Sequence, residues 1–236
     1  MFYHGPKLRK YQNDGFTWLY YPQVCANGLE VSSKFIKLIK ENSAKKCFTR
    51  AHEWCAGPGY FGFTLLHNHM TKHLVLSDIS DLAVKSCAFT AMANGVEDKT
   101  TIYLIDDLAE LPSHEVWDLV VSNPPWWPEV PADQTLTEDE MRMYVDYNWH
   151  VHNQLWESTD RLDNDAEIFL LEDQQNLGRL RSDIKNAGLN LEAVYSNFDT
   201  RLNNGKSCVL HITKQHAYFP VFMINFALGI TAEAMI

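Results

Sequence analysis

The chain has 236 residues, 46% of them hydrophobic and 21% charged, with a net charge of −10. That size and balance fit one large α/β domain, or one domain with an appendage. They exclude a broad phosphate-binding face, which needs a basic excess, and leave room only for a local basic patch. Lys7, Arg9 and Lys10, or Lys45, Lys46 and Arg50, are the places for one, and both groups read as solvated faces. Cys25, Cys47, Cys55, Cys87 and Cys208 are scattered, odd in number and without C-x-x-C spacing, so neither a disulfide frame nor a zinc site is expected. No charged-then-apolar leader opens the sequence, and the expected setting is the cytoplasm.

Residues 1–28 are aromatic-rich (Tyr3, Tyr11, Phe16, Trp18, Tyr20, Tyr21) and read as irregular. Val31, Phe35, Leu38 and Ile39 give Glu30–Glu41 a helical spacing. Strands and helices then alternate: strand Phe48–Trp54, helix Tyr60–Met70, strand His73–Ser77, helix Asp81–Asn94 stopped by Gly95, strand Thr101–Ile105 and strand Trp117–Ser122. Thr137–Leu162 is long and helical in pattern. Strand Glu167–Leu171 and helix Leu177–Ala187 follow, then strands Leu191–Ser196 and Ser207–Thr213 around an Asn203-Asn204-Gly205 turn. This order predicts an α/β, Rossmann-like, doubly wound and mainly parallel seven-stranded sheet with a closing antiparallel hairpin. The apolar run Val221–Ile230 is too short to span a bilayer. It reads as a core element, a covered edge or a homodimer contact, and no membrane partner is expected.

Such sheets bind ligands at the carboxyl ends of their strands, where the polar motifs fall. Cys55-Ala56-Gly57-Pro58-Gly59 follows the first core strand and opens a helix. It is neither G-x-G-x-x-G nor a P-loop. Asp78 ends the next strand, placed to accept ribose hydroxyls or to cap a helix. Asp106-Asp107-Leu108 ends the third, placed to meet an adenine amino group or to form a turn. Asn123-Pro124-Pro125-Trp126 ends the fourth: a rigid corner, poor in N–H donors, with an amide, free carbonyls and an aromatic face. It suits the gripping of a planar –NH2 group. His67-x-His69 and His150-x-His152 lie in helical patterns whose i, i+2 positions face different ways, so no metal is expected.

Over residues 47–213 this set resembles the class I S-adenosylmethionine-dependent methyltransferases, in the amino-methylating branch with an (Asn/Asp)-Pro-Pro-(Tyr/Phe/Trp) motif. The resemblance implies S-adenosylmethionine as cofactor, with Glu53, Ala56, Gly57 and Gly59 around its methionine part, Asp78 on the ribose, Ile79 on the adenine, and Asp107 and Leu108 at the adenine amino group and ring. Asn123 and the Pro124 carbonyl would hold the substrate amine, and Trp126 would stack on it. The family usually has Gly or Ala at the Cys55 position, where a thiol narrows the entrance. Residues 1–46 are then a cap or lid, 47–213 the methyltransferase domain, and 214–236 an apolar tail packed on that domain or on a partner.

Acidic charge and the lack of a separate basic target-recognition domain favour a Gln or Asn side-chain amide of a protein or peptide as acceptor. Adenine N6 of RNA or DNA is the alternative, with the N-terminal aromatics as a stacking surface, and a small-molecule amine is a third. A non-catalytic scaffold subunit would be expected to lose the glycine loop or the Asn-Pro-Pro corner. An NAD-dependent oxidoreductase has no use for that corner. Asn148, Trp149, His150 and Asn153 are weaker candidates for a pocket wall, with packing or surface favoured.

Overall fold

The computed structural model describes residues 7–25, 28–132, 134–196 and 207–214. The Asn203-Asn204-Gly205 turn and the run Val221–Ile230 lie outside the described residues. At the N-terminus the chain is more regular than expected. Asp14 and Gly15 both have positive φ, 46° and 82°, which is what a two-residue type I′ hairpin turn requires. They join β1 (Arg9–Asn13) to β2 (Phe16–Tyr20), with Asn13 opposite Phe16. The Asp-Gly pair was the available signal. Helix α1 (Gly28–Asn42) follows and buries Phe35, Ile36 and Ile39 along one face.

The main sheet contains β3 (Phe48–Trp54), β4 (Thr71–Asp78), β5 (Thr100–Leu104), β6 (Trp117–Ser122), β7 (Leu162–Asp173), β8 (Leu189–Ser196) and β9 (Ser207–Lys214). Their order is β5-β4-β3-β6-β7-β9-β8. The first five pair in parallel, and β9 runs antiparallel to both its neighbours. The expected doubly wound sheet with its antiparallel closure is therefore present. Between the strands run α2 (Tyr60–His67) and α3 (Asp81–Asn94).

Both faces of the sheet are covered, and its central strands are mostly buried. In β6, Trp117, Leu119, Val120 and Val121 are all fully buried. Leu119 and Val121 pack with Phe35 of α1 and Phe61 of α2, whose rings stack at 4.3 Å. Trp117 and Val120 pack on the opposite side with Trp156 and Leu180. Side-chain alternation from Leu119 to Val121, with a register shift between Trp117 and Leu119 that puts Trp117 on the side of Val120, thus feeds two cores. The hairpin forms a further layer: Phe16 and Trp18 pack with Phe63, Cys87 and Ala91. The free edge of β2 would leave its amides unpaired. Helix α3 meets that need with side chains: Asn94 accepts from Thr17 N at 2.9 Å, Thr90 from Leu19 N at 3.0 Å and Ser86 from Tyr21 N at 3.1 Å.

The expected long helix Thr137–Leu162 is instead broken. It divides into α4 (Glu138–Tyr144), a 3-10 turn at Tyr147–Trp149 and α5 (His150–Glu157). Trp127 N donates to the Tyr144 carbonyl at 2.9 Å, and Asp146 N to the Trp127 carbonyl at 2.7 Å. That bridge requires extended backbone at Val145, which ends α4. Asn148 and Trp149 then turn the chain with φ of 55° and 60°. The freed Leu162 lengthens β7 backwards by pairing with Trp117. Helix α6 (Leu177–Asn186) covers the same face as α5.

Candidate active site

A cavity of about 540 Å³ opens at the carboxyl ends of β3, β4, β5 and β6. It sits where the chain departs from β3 in both directions, the switch point at which such sheets bind ligands. Glu53, Ala56, Gly57, Asp78, Ile79, Asp107, Leu108, Asn123, Pro124 and Trp126 all line it. Gly59 does not. It opens α2 in the left-handed region (φ 75°), and a Cβ there would lie 2.7 Å from the Phe63 ring, so its role is local backbone shape.

The glycine loop is held by two carboxylates. Both oxygens of Glu53 accept from the first amides of α2, Phe61 N at 3.1 Å and Gly62 N at 2.7 Å. A helix otherwise leaves these donors unpaired at its positive end. Burial pushes Glu53 up to about 8, against the pull of those two amides. Asp78 accepts from Gly57 N at 2.7 Å and from Ser80 N at 2.8 Å, tying the ends of β3 and β4 together. Burial raises its carboxyl too. Cys55 has φ 54°, a conformation that glycine adopts without cost and a thiol-bearing residue does not. Burial pushes its thiol well up, so it faces the cavity protonated, an adverse state for a nucleophile.

Gly62 tests this packing. A Cβ there would fall 2.5 Å from Leu74 Cδ1 and 2.8 Å from Glu53 Oε2, both buried. Gly62→Ala is expected to destabilise the fold by about 1–3 kcal/mol, read from urea denaturation. An unchanged midpoint would show that Glu53 and Leu74 yield freely.

At the far wall, Ile79 is an exposed apolar side chain at the rim. Asp107 caps the turn Leu108–Glu110, accepting from Ala109 N at 2.8 Å, while Glu110 accepts from Asp107 N in return. Leu108 is mostly a core residue. Gln154 of α5, absent from the sequence-based set, accepts from Leu108 N at 3.3 Å and donates to the Asp106 carbonyl at 2.9 Å. It fixes this loop. Asn148, Trp149, His150 and Asn153 are not cavity residues; Val151 and Gln154 are.

At the Asn-Pro-Pro-Trp corner, the Asn123 Oδ1 is buried and has no hydrogen-bond partner among the described residues. Trp126 is locked, its Nε1 donating to the Leu171 carbonyl at 2.8 Å and its own carbonyl accepting from Asn176 at 3.0 Å. The chain beyond the corner is anchored by a buried cluster. His152 lies 2.6 Å from Asp146 through Nδ1 and 2.6 Å from Glu172 through Nε2. Only an imidazolium donates through both nitrogens. Burial opposes its charge, but the two carboxylates outweigh burial and push His152 up to about 9. Nothing in the sequence pattern paired these three residues. Helix α4 closes the mouth together with Gln23 and Val24. Six acidic side chains (Glu53, Asp78, Asp106, Asp107, Asp139, Glu140) line the cavity against one Lys or Arg side chain, Arg142, among the described residues.

Residues 25–142 match the family model described as "Methyltransferase small domain". The chain is 37% identical over 93 residues to the ribosomal RNA small subunit methyltransferase C of Hahella chejuensis, an alignment that covers 39% of this chain and 26% of that protein. The chain thus matches only about a quarter of that relative's length. The fold is similar to the ribosomal protein L11 methylase of Lactobacillus delbrueckii subsp. bulgaricus, with a TM-score of 0.57 and 16% identity over 78% of this chain and 79% of that one. It is also similar to M. jannaschii TYW2 in complex with AdoMet, with a TM-score of 0.58 and 13% identity over 90% and 88%. A seven-stranded, mainly parallel sheet, a switch-point cavity and a family match across half the chain agree: the chain belongs to the methyltransferase small domain family of S-adenosylmethionine-dependent methyltransferases.

Proposed function

We propose that this chain methylates an exocyclic amino nitrogen of an RNA base. The observation that carries the amino acceptor is Asn123 Oδ1, a buried oxygen with no donor among the described residues. An unmet buried acceptor is costly, and an –NH2 group supplies the missing hydrogen. The RNA acceptor is supported by the relative described as a ribosomal RNA methyltransferase.

The lining fits the cofactor. Its cationic charge suits an acidic wall, and Gly57 leaves a cradle in which a Cβ would press the Val24 carbonyl at 3.2 Å. Glu53, Ala56 and Gly57 would hold the methionine part, Asp78 the ribose hydroxyls through its remaining lone pairs, and Ile79, Asp107 and Leu108 the adenine. When bound, S-adenosylmethionine supplies an electrophilic methyl group on sulfonium sulfur. The amine of a base is a poor nucleophile because its lone pair is delocalised into the ring. Asn123 Oδ1 and the Pro124 carbonyl would accept its two hydrogens, align the lone pair and stabilise the positive charge that grows on nitrogen. Trp126, with its indole N–H already committed, would present its face to the base. Positioning supplies much of the remainder, and no strong general base is needed.

The acidic cavity also supports a second reading, the Gln or Asn side-chain amide of a protein, because carboxylates repel phosphate. A base extruded from its strand removes that objection, since it enters neutral while its phosphates stay outside. Tritiated methyl transfer into a cell extract divided into RNA, protein and small-molecule fractions separates the readings. Label is expected in RNA and lost on nuclease treatment. Label confined to protein would overturn the RNA acceptor in favour of the amide.

A further inference from the structure

If phosphates stay outside the acidic cavity, another surface must hold them. The charge of the chain is strongly divided. Residues 1–46 contain eight Lys or Arg and three Asp or Glu, a net of +5, while residues 47–236 contain twelve and twenty-seven, a net of −15. The positive part supplies the hairpin β1–β2 and α1. Between them lies a second cavity of about 320 Å³, floored by Thr64, His67 and Asn68 from the end of α2. Lys37 and Lys40 line it from α1, and Asp14 is its single carboxylate. Lys37 is well exposed and only 3.8 Å from an equally exposed Glu41, a contact of little worth. The Lys40 ammonium makes no ion pair among the described residues.

Trp18 lines the same groove and is itself buried, yet its Nε1 has no acceptor among the described residues. Tyr11 presents an exposed ring beside it, with centroids 5.8 Å apart. Two cations, an unpaired indole N–H and a free aromatic face make up the chemistry of single-strand nucleic-acid binding. The same layer also reaches the catalytic cavity, because the turn that links the hairpin to α1 contributes Gln23 and Val24 to its mouth.

We propose that the groove between the β1–β2 hairpin and α1 binds the sugar–phosphate backbone of the acceptor RNA, with Lys37 and Lys40 as its phosphate contacts. This rests on the RNA reading above. It divides the enzyme into a basic docking groove and an acidic chemical cavity, so a protein of net −10 holds a polyanion without drawing phosphate onto its cofactor site.

The test is fluorescence anisotropy with a fluorescein-labelled single-stranded RNA over a salt series, on the wild type, on Lys37→Glu/Lys40→Glu and on Lys185→Glu of α6 as a remote control. The double variant is expected to lose RNA affinity at least about tenfold and to lower the salt slope by roughly 2. S-adenosylmethionine affinity and the melting temperature should not change, and Lys185→Glu should behave as wild type. If the wild type methylates RNA and the double variant binds it equally well, the groove is wrong while the RNA acceptor stands. If the wild type neither binds nor methylates RNA, both fall. Displacement of the RNA by polyglutamate as effectively as by unlabelled RNA would overturn the polynucleotide assignment.

Discussion

Asn123→Ala is expected to slow methyl transfer by about 10²–10³-fold while leaving S-adenosylmethionine affinity unchanged. The oxygen it removes is buried and makes no hydrogen bond among the described residues. Its loss therefore breaks no hydrogen bond among the described residues, and the effect is expected to fall on the bound acceptor. Because that oxygen gains most as positive charge grows on the nitrogen, kcat should fall much more than KM rises. Asn123→Asp keeps an acceptor at the same place and should retain more activity than the alanine variant. Calorimetry for cofactor binding and single-turnover transfer measure the two halves of this expectation. Normal transfer by Asn123→Ala would falsify the role of the corner.

His152→Ala is expected to cost about 3–5 kcal/mol of stability, because it leaves Asp146 and Glu172 buried without the cation between them. Against a domain total of about 5–15 kcal/mol, that is a large share of the stability and should lower the denaturation midpoint markedly. Glu172 Oε2 is already without a partner, so Glu172→Gln in the His152→Ala background should recover part of the loss, a coupling of about 0.5–3 kcal/mol. Chemical denaturation of the single and double variants measures it. The pH dependence has a definite sign. The folded-state pKa of His152 is raised from 6.5 to about 9. Its contribution is therefore fully present below pH 6.5 and is lost as pH rises through about 9. The shift corresponds to about 3 kcal/mol. Stability that stays flat between pH 6.5 and 9.5 would mean that this imidazole is not charged.

The cluster bears on chemistry through position. Asp146 caps α5 by accepting from Val151 N and His152 N, and its own amide holds the Trp127 carbonyl. Glu172 ends β7, one residue after the Leu171 carbonyl that holds the Trp126 indole. The ion cluster thus locks the segment after Asn-Pro-Pro-Trp to the carboxyl end of β7, inside the sheet. Trp126 and α4 keep their places through it.

Local chemistry was legible in the sequence. Strand-like runs ending in a Gly-rich loop, Asp or Pro-Pro located β3, β4, β5 and β6, most plainly the fully buried β6, because a strand buried on both faces has little room for polar residues and Pro cannot continue the ladder. Gly95 stopped α3 because it takes φ 62° without strain. Most residues expected in one site do share one cavity, since parallel strands bring their carboxyl ends to the same side. The Asp14-Gly15 turn was legible as well but was masked by the aromatic residues around it.

Tertiary structure alone decided what depends on partners distant in sequence. The strand order could not be read from local pattern, since the inner strands are all largely buried and their sequences do not say which neighbour each pairs with. Helical spacing over residues 137–162 looked continuous, yet the pairing of Trp127 with Val145 broke it. Gln154 became a loop clamp only where α5 crosses Leu108. Asp146, His152 and Glu172 are unremarkable at their own positions and become a charged core only when β7 and α5 meet. Sequence determines which backbone shapes a segment prefers, because those preferences come from its own side chains. Burial and charge pairing depend on which segments come together, and here that was decided by the order of the strands and the crossings of the helices over them.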